Sequence, residues 1–290
     1  MISVLGIVIV LGAIAGGYLM EHGGIAVLLQ PAEIVIIFGA AIGTVVTANP
    51  LPTLMRIAGG VAGVFARSRY DRGYYLEALK MMYELFSLSR KGGMAKLEEE
   101  VDHPETGQVF SKYPKLTKSG HAMSFLCDTL RMAISGGIDP VDIDQMMEVD
   151  LEVHHKESQE PIAALTSMAD SLPGLGIVAA VLGVILTMGA LGGPKEAIGE
   201  KVAAALVGTF LGILLCYGVF SPIAAAMGKR TEAESAFYGV LRMGALGFVK
   251  DLSPIMAVEL ARRSIPSRVR PTFQEMEDTC RGSGAVPKAA

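Results

Sequence analysis

Residues 173–191 read PGLGIVAAVLGVILTMGAL, a stretch without a charged side chain. A helix that crosses a bilayer needs about 20 predominantly apolar residues, so this stretch is long enough to span a membrane. Hydrophobic residues make up 51% of the whole chain, more than is usual for a soluble domain once charged residues are considered. The sequence therefore places the protein in the membrane class.

Three further segments have the same character, and they cover residues 2–20, 34–48 and 202–227. The second reaches span length only if it continues past Asn49 and Pro50 toward Met55. None of the four segments contains Asp, Glu, Lys, Arg or His. We predict an all-α integral membrane protein with four transmembrane helices in two hairpins, and a large helical cytoplasmic insertion between helices two and three.

The basic residues predict the orientation of these spans. Residues 50–165 and 229–290 hold nearly all of the 25 Lys and Arg residues, whereas the linkers 21–32 and 192–201 contain only Lys195 and Lys201. Basic residues close to spans favour the cytoplasmic side. Both termini are therefore expected in the cytoplasm, and both short linkers on the outer side.

The insertion shows helical periodicity. Apolar residues between Tyr75 and Phe86 recur at i, i+3, i+4 and i+7, which predicts a helix from about Asp71 to Ser89. Gly92 and Gly93 are expected to end it. Asp139 before Pro140 has the pattern of an N-cap followed by the first helical position, which predicts a long helix toward Ala169.

The predicted organisation follows in chain order. It comprises a first transmembrane hairpin (1–55), a cytoplasmic helical domain (56–168), a second hairpin (169–228), cytoplasmic C-terminal helices (229–280) and a disordered tail (281–290). Thr231 with Glu234 resembles a capping box, so a helix is expected to begin there. Ser253 before Pro254 predicts another helix start.

Several function classes find no support in the sequence. A net charge of -4 and the lack of a basic stretch with interleaved aromatics argue against nucleic-acid binding. No phosphate-binding loop, nucleophile elbow or metal-ligand spacing occurs, so we expect no enzyme activity, cofactor or metal. Cys127, Cys216 and Cys280 are isolated and match no CxxC pattern.

Two prolines lie at the cytoplasmic end of the second hairpin. Pro173 stands where helix three enters the membrane, and Pro222 where helix four leaves it. A proline inside a helix frees the carbonyl four residues earlier and kinks the helix. They form a paired hinge, or else Pro173 merely starts one helix and Pro222 ends another.

Small and polar residues supply the remaining candidates. G-x-x-x-G pairs at residues 12–16, 39–43 and 208–212 favour close helix packing. Thr209, beside Gly208, is the hydroxyl most suited to face a neighbouring helix and line a pore. Arg90 and Glu98 flank the turn at Gly92 and Gly93, where they form either a solvated face or a contact that steers a protein partner.

Five motifs together resemble the MotA family of flagellar motor stator subunits, and more distantly TolQ and ExbB. They are GAIAGGYLMEHG (12–23), QPAEIVIIFGAAIG (30–43), SRKGGMAKLEEE (89–100), DSLPGLGIVAAVLG (170–183) and AALVGTFLGILLCYGVFSPIA (204–224). The resemblance covers nearly the whole chain. Four spans with an insertion between the hairpins fit the MotA family better than TolQ or ExbB, which have three spans.

The resemblance implies a multi-pass protein in the lipid of the cell inner membrane. Family members form a pentameric ring around two copies of MotB, whose membrane-embedded Asp carries the ion, and they act on the rotor protein FliG. By matching position, Pro173 and Pro222 would couple ion flow to conformation, and Arg90 and Glu98 would face the rotor.

The resemblance also bears on the transported ion. Sodium-type relatives carry Thr on helix three, seven residues after the proline, where this chain has Ala180. Without that hydroxyl a sodium ion loses an oxygen ligand, and hard cations need several. Ala180 therefore favours H+ over Na+, whereas Thr209, the other proposed lining residue, does not by itself decide the ion. Two alternatives stay open: a proton-driven energiser like ExbB or TolQ, and a purely structural membrane scaffold.

Overall fold

A computed structural model describes residues 2–189 and 195–282, and these residues contain helices but no strand. The expected all-α class is confirmed. The chain divides into two compact units, one of residues 1–67 and 157–230 and the other of residues 68–156 and 231–290. The predicted domain boundaries remain predictions, and residues 283–290 of the expected tail lie outside the described residues.

The first unit, called the apolar unit below, begins with four helices. They are α1 (Ile2–Met20), α2 (Ile25–Leu28), α3 (Pro31–Ala48) and α4 (Leu51–Val64). The apolar run of α3 does not continue past Asn49 toward Met55, so the condition for span length on that side is not met. Asn49 has extended backbone, and a new helix begins at Leu51. The physical reason is Pro50, which disfavours helical backbone at the residue before it.

Four helical stretches are long and apolar enough to cross a membrane. They are Ser3–Met20, Ile25–Ala48, Pro140–Met188 and Lys201–Val249. The second gains its length at the N-terminal side, through α2, rather than at the C-terminal side. Large apolar side chains of α1 such as Leu5, Val8 and Ile9 are more than half exposed within this chain. Such a surface suits a lipid environment.

Two long helices, α9 (Pro140–Met188) and α11 (Ser221–Val249), each include residues of both units. Helix α9 contains Pro161 and Pro173 in its interior. Helix α10 (Lys195–Leu214) leads through a π-helical turn (Leu215–Phe220) directly into α11. Thr231 therefore lies inside α11, and the helix start predicted there is wrong. A capping pattern cannot stop a helix that the preceding apolar turns already propagate.

The second unit, called the packed unit below, has a continuous hydrophobic core. Its other helices are α5 (Arg72–Gly92), α6 (Met94–Asp102), α7 (Pro114–Thr117), α8 (Gly120–Ser135), α12 (Pro254–Ser264) and α13 (Phe273–Arg281), with a 3-10 turn at Phe110–Lys112. Leu79, Met82 and Leu85 of α5 are fully buried in this core. Each such side chain contributes about 1.5–3 kcal/mol through burial.

Caps define several ends in the packed unit. The backbone N–H of Tyr74 donates to Asp71 Oδ1 at 2.9 Å, and that of Val141 donates to Asp139 Oδ1 at 2.8 Å. Gly93, with φ of +84°, ends α5. These ends match the predicted ones to within a few residues. The capping box of α13, between Thr272 and Glu275, was not predicted.

Candidate functional site

Helices α9 and α10 approach each other through glycine. A Cβ added to Gly212 would lie 2.6 Å from the carbonyl oxygen of Leu172 and 3.0 Å from the Cα of Gly176. Real side chains do not tolerate such distances to backbone atoms, so the two backbones are in direct contact here. The expected packing role of the 208–212 glycine pair is thus visible within one chain.

This contact brings the two predicted lining residues together. A Cβ on Gly176 would lie 2.8 Å from Gly208 O and 3.3 Å from the Cα of Thr209. A Cβ on Gly208 would lie 3.3 Å from the backbone nitrogen of Ala180. Both Ala180 and Thr209 are half-buried. The α9–α10 contact therefore has Ala180 on one side and Thr209 on the other.

Pro173 lies at the same contact, next to the Leu172 carbonyl that faces Gly212. Because α9 is helical from Pro140 to Met188, the alternative in which Pro173 merely starts a helix is wrong. The hydroxyl of Ser171 donates to Met168 O at 2.7 Å, a local bond of the type that accompanies helix bending. Leu172 and Ala169 are buried, so the proline turn is held by packing.

Pro222 has a different setting. It is exposed, it is the second residue of α11, and it lies two residues after the π-helical turn Leu215–Phe220. The alternative in which Pro222 ends a helix is also wrong, because α11 runs on to Val249. A π-helical turn widens the hydrogen-bond spacing by one residue, which accommodates the missing N–H of a nearby proline. A Cβ on Gly218, in this turn, would lie 3.1 Å from Val10 Cγ1.

The other two glycine pairs show no such packing. A Cβ added at Gly12, Gly16, Gly39 or Gly43 would meet no heavy atom within 4 Å among the described residues. The expected close contacts of these pairs are therefore not made inside the described part of the chain.

Glu33 belongs to the apolar unit. It was not among the predicted site residues, because the second span was predicted to begin at Ile34. It lies in the first turn of α3 and is 6% exposed. Its Oε2 has no hydrogen-bond partner among the described residues, and it would lie 2.6 Å from a Cβ added to Gly208. The sequence signal for this residue was an acid directly before the apolar residues IVII, in QPAEIVII.

Arg90 lies in the packed unit, at the end of α5. Its Nη2 donates to the backbone oxygen of Asp251 at 2.7 Å, to Asp251 Oδ1 at 2.9 Å and to the Leu252 carbonyl at 3.2 Å. Asp251 has a φ of +55°, an uncommon conformation for a residue other than glycine. Arg90 therefore holds the loop between α11 and α12 in place, and its charged side chain is also exposed to solvent.

Glu98 lies on α6 and is exposed, with no ion pair to any residue that the structure describes. Arg90, Gly93 and Asp251 line a cleft of about 390 Å³ in the packed unit, and Glu98 is not among its lining residues. The two predicted rotor-facing charges thus differ in character. Arg90 is anchored, and Glu98 is free to meet a partner.

The cysteine thiols of the packed unit are unreactive. Burial raises the pKa of the Cys127 thiol to about 11 and that of the Cys280 thiol to about 12. Both side chains are therefore protonated near neutral pH, and a protonated thiol is a poor nucleophile. Neither supplies a reactive group.

Family models match two parts of the chain. Residues 4–93 match the model described as motility protein A N-terminal, and residues 118–238 match the MotA/TolQ/ExbB proton channel family. Motility protein A of Escherichia coli strain K12 is 36% identical over 97% of this chain and 95% of its own length. The chemotaxis protein LafT of Vibrio parahaemolyticus is 33% identical, over 94% of this chain and 96% of its own length.

Solved structures show the same fold. A chain of the MotAB structure from C. jejuni aligns with a TM-score of 0.73 at 19% identity, covering 91% of this chain and 95% of that one. A chain of the flagellar MotAB stator complex from Bacillus subtilis aligns with a TM-score of 0.70 at 22% identity, covering 94% and 97%. Because motility protein A of Escherichia coli is 36% identical over 97% of the chain and both family models match, the chain belongs to the motility protein A family, within the MotA/TolQ/ExbB proton channel family.

Proposed function

We propose that this chain, a stator subunit of the bacterial flagellar motor, forms with a MotB partner a complex that conducts protons and converts their flow into torque. The match to motility proteins over 97% of the chain carries this proposal. The N-terminal motility protein A match at residues 4–93 favours a motor over an energiser like ExbB or TolQ. The protein acts without enzymatic chemistry.

The proposed topology has four spans in the cell inner membrane, with the packed unit and both termini in the cytoplasm. Four helices of sufficient length and apolarity support it. So does the placement of Lys and Arg, since the packed unit holds most of them and the linkers hold few. Lipid covers the exposed apolar side chains of α1.

The proposed assembly is a homo-oligomer, a pentamer around two MotB copies, in which MotB supplies the membrane-embedded Asp. The open glycine faces at residues 12–16 and 39–43 support such an assembly, since small residues let neighbouring backbones approach. The ion path runs along Ala180 and Thr209. Ala180 offers no hydroxyl ligand for sodium, which favours protons.

Pro173 and Pro222 are the proposed conformational couplers. Pro173 adjoins the glycine contact of α9 with α10, and Pro222 adjoins the π-helical turn. A change in charge at the MotB Asp would alter packing at these two interrupted turns, and the α9 and α11 helices would carry that change toward the packed unit. Arg90 and Glu98 are proposed to meet the rotor protein FliG.

The test of coupling uses two prolines of one helix. Pro173→Ala and Pro161→Ala each restore an N–H inside α9, but only Pro173 adjoins the α9–α10 glycine contact. In a strain lacking its own stator subunit, we expect the Pro173 variant to assemble with MotB without restoring swimming, and the Pro161 variant to restore it. Normal swimming with Pro173→Ala would refute the coupling role.

A further inference from the structure

Glu33 is a buried acid that the proposed coupling scheme does not use. It is 6% exposed within a single chain, and its Oε2 has no hydrogen-bond partner among the described residues. Association with other chains can only bury it further. An unpaired carboxylate in an apolar environment is costly, and acids inside membrane segments are generally kept for function.

Glu33 does not serve its own helix as a cap. The N-cap position of α3 is Gln30, and no side-chain cap hydrogen bond is formed there. The Glu33 carboxylate instead extends to α10, where Gly208 leaves room for it. A Cβ on Gly208 would lie 2.6 Å from Glu33 Oε2, and 3.2 Å from Ala179 Cβ. Any larger residue at position 208 would displace the carboxylate.

The acid therefore lies where the two lining residues meet. The same added Cβ on Gly208 would lie 3.3 Å from the backbone nitrogen of Ala180, and Thr209 is the next residue of α10. Three helices, α3, α9 and α10, converge on this point. Among the described residues of the apolar unit, only Glu33 combines burial, an unsatisfied oxygen and contact with the proposed ion path.

No charged side chain that the structure describes on the surrounding helices pairs with Glu33. Lys201 of α10 precedes Gly208 by about two turns, roughly 10 Å along the axis, and its Nζ lies 3.5 Å from Leu186 O. Arg56 of α4 pairs with Glu157 at 3.6 Å. Helix α2 and residues 173–188 of α9 carry no titratable side chain.

We infer that Glu33 is a proton-accepting residue of the ion pathway, contributed by this chain at its outer side. The inference rests on the proposed function and topology, which place the start of α3 in the outer half of the span Ile25–Ala48. A hydronium ion gives its proton to the carboxylate and leaves water. The resulting carboxylic acid then releases that proton to the next acceptor inward, water or the MotB Asp, and the carboxylate is restored.

The experiment measures proton flux in cells that express this chain with a constitutively open MotB partner. Cytoplasmic acidification is followed after steps of external pH, and flux is divided by the amount of complex in the membrane. Glu33→Gln keeps the side-chain shape and removes the acid. Glu33→Asp keeps the acid, and Glu21→Gln, at an exposed position in the linker before α2, is the matched control.

We expect Glu33→Gln to lower flux per complex at least fivefold and to flatten its dependence on external pH. Glu33→Asp should restore part of the flux together with its pH dependence, and Glu21→Gln should behave as wild type. Wild-type flux and pH profile in Glu33→Gln would overturn the inference. So would an assembled Glu33→Asp complex whose flux no longer depends on pH.

The two levels of the proposal fail in different ways. If the wild-type complex conducts no protons at all, the proposed function itself is wrong. If the wild type conducts and Glu33→Gln lowers only the amount of complex, leaving flux per complex unchanged, Glu33 has a structural role and only the present inference fails.

Discussion

The apolar unit and the packed unit bury their hydrophobic residues in opposite ways. In the packed unit, α5 places Leu79, Met82 and Leu85 in a core where they are fully buried. In the apolar unit, α1 leaves Leu5 and Val8 more than half exposed. A soluble domain would not leave a helix so uncovered. The difference teaches that one unit completes its core within the chain, whereas the other leaves a large apolar surface uncovered within the chain.

The first prediction tests this comparison by shortening one apolar side chain in each unit. Leu85→Ala removes a side chain with no exposed surface, and it should cost about 2–5 kcal/mol through lost burial and a cavity. Val8→Ala, at 58% exposure, should change the unfolding temperature of the purified complex far less. Equal losses in thermal unfolding would show that α1 is packed as tightly as α5.

The second prediction concerns the α9–α10 glycine contact, where the apolar unit is closely packed. Gly212→Ala puts a Cβ 2.6 Å from the Leu172 carbonyl, so α9 and α10 must separate, at a cost of about 1–3 kcal/mol. Gly199→Ala in the same helix meets no described atom within 4 Å. The amount of complex in membranes should fall only for Gly212→Ala. An unchanged amount and full swimming would refute a backbone contact there.

The third prediction separates the two charges of the packed unit. Arg90→Ala removes three hydrogen bonds to the loop between α11 and α12, and it should lower stability by about 1–2 kcal/mol as well as torque. Glu98→Ala should lower torque while leaving thermal unfolding within about 0.5 kcal/mol, because the side chain is exposed. Torque of tethered cells and melting of the complex give both readouts. Normal torque in both variants would refute the proposed contact of Arg90 and Glu98 with the rotor.

Sequence periodicity predicted the packed unit well because its helices are amphipathic and capped. Asp71, Gly93 and Asp139 each act through local backbone chemistry that spacing alone reveals. The Thr231 pattern failed because the same local chemistry is outweighed once a helix is already propagating through Ser221–Val249. Local signals thus predict where a helix can begin, and the preceding turns decide whether it does.

Part of the candidate site could be proposed from the sequence, but its arrangement could not. The prolines and the 208–212 glycine pair could be found from sequence, yet only the fold shows which glycine pair packs inside the chain. Glu33 was missed because a span chosen for high hydropathy begins after the nearest charged residue, which leaves Glu33 outside the span. Its burial depends on Gly208, some 175 residues away in sequence, and no local pattern encodes that contact.

The most direct test of the central claim measures whether this chain conducts protons together with a MotB partner. Cytoplasmic pH is recorded in cells expressing both proteins, with the MotB Asp intact or changed to Asn, in sodium-free and sodium-rich medium. We predict acidification that requires the Asp and is independent of sodium. Absence of acidification with the intact partner, or a flux that needs sodium, would contradict a proton-conducting stator.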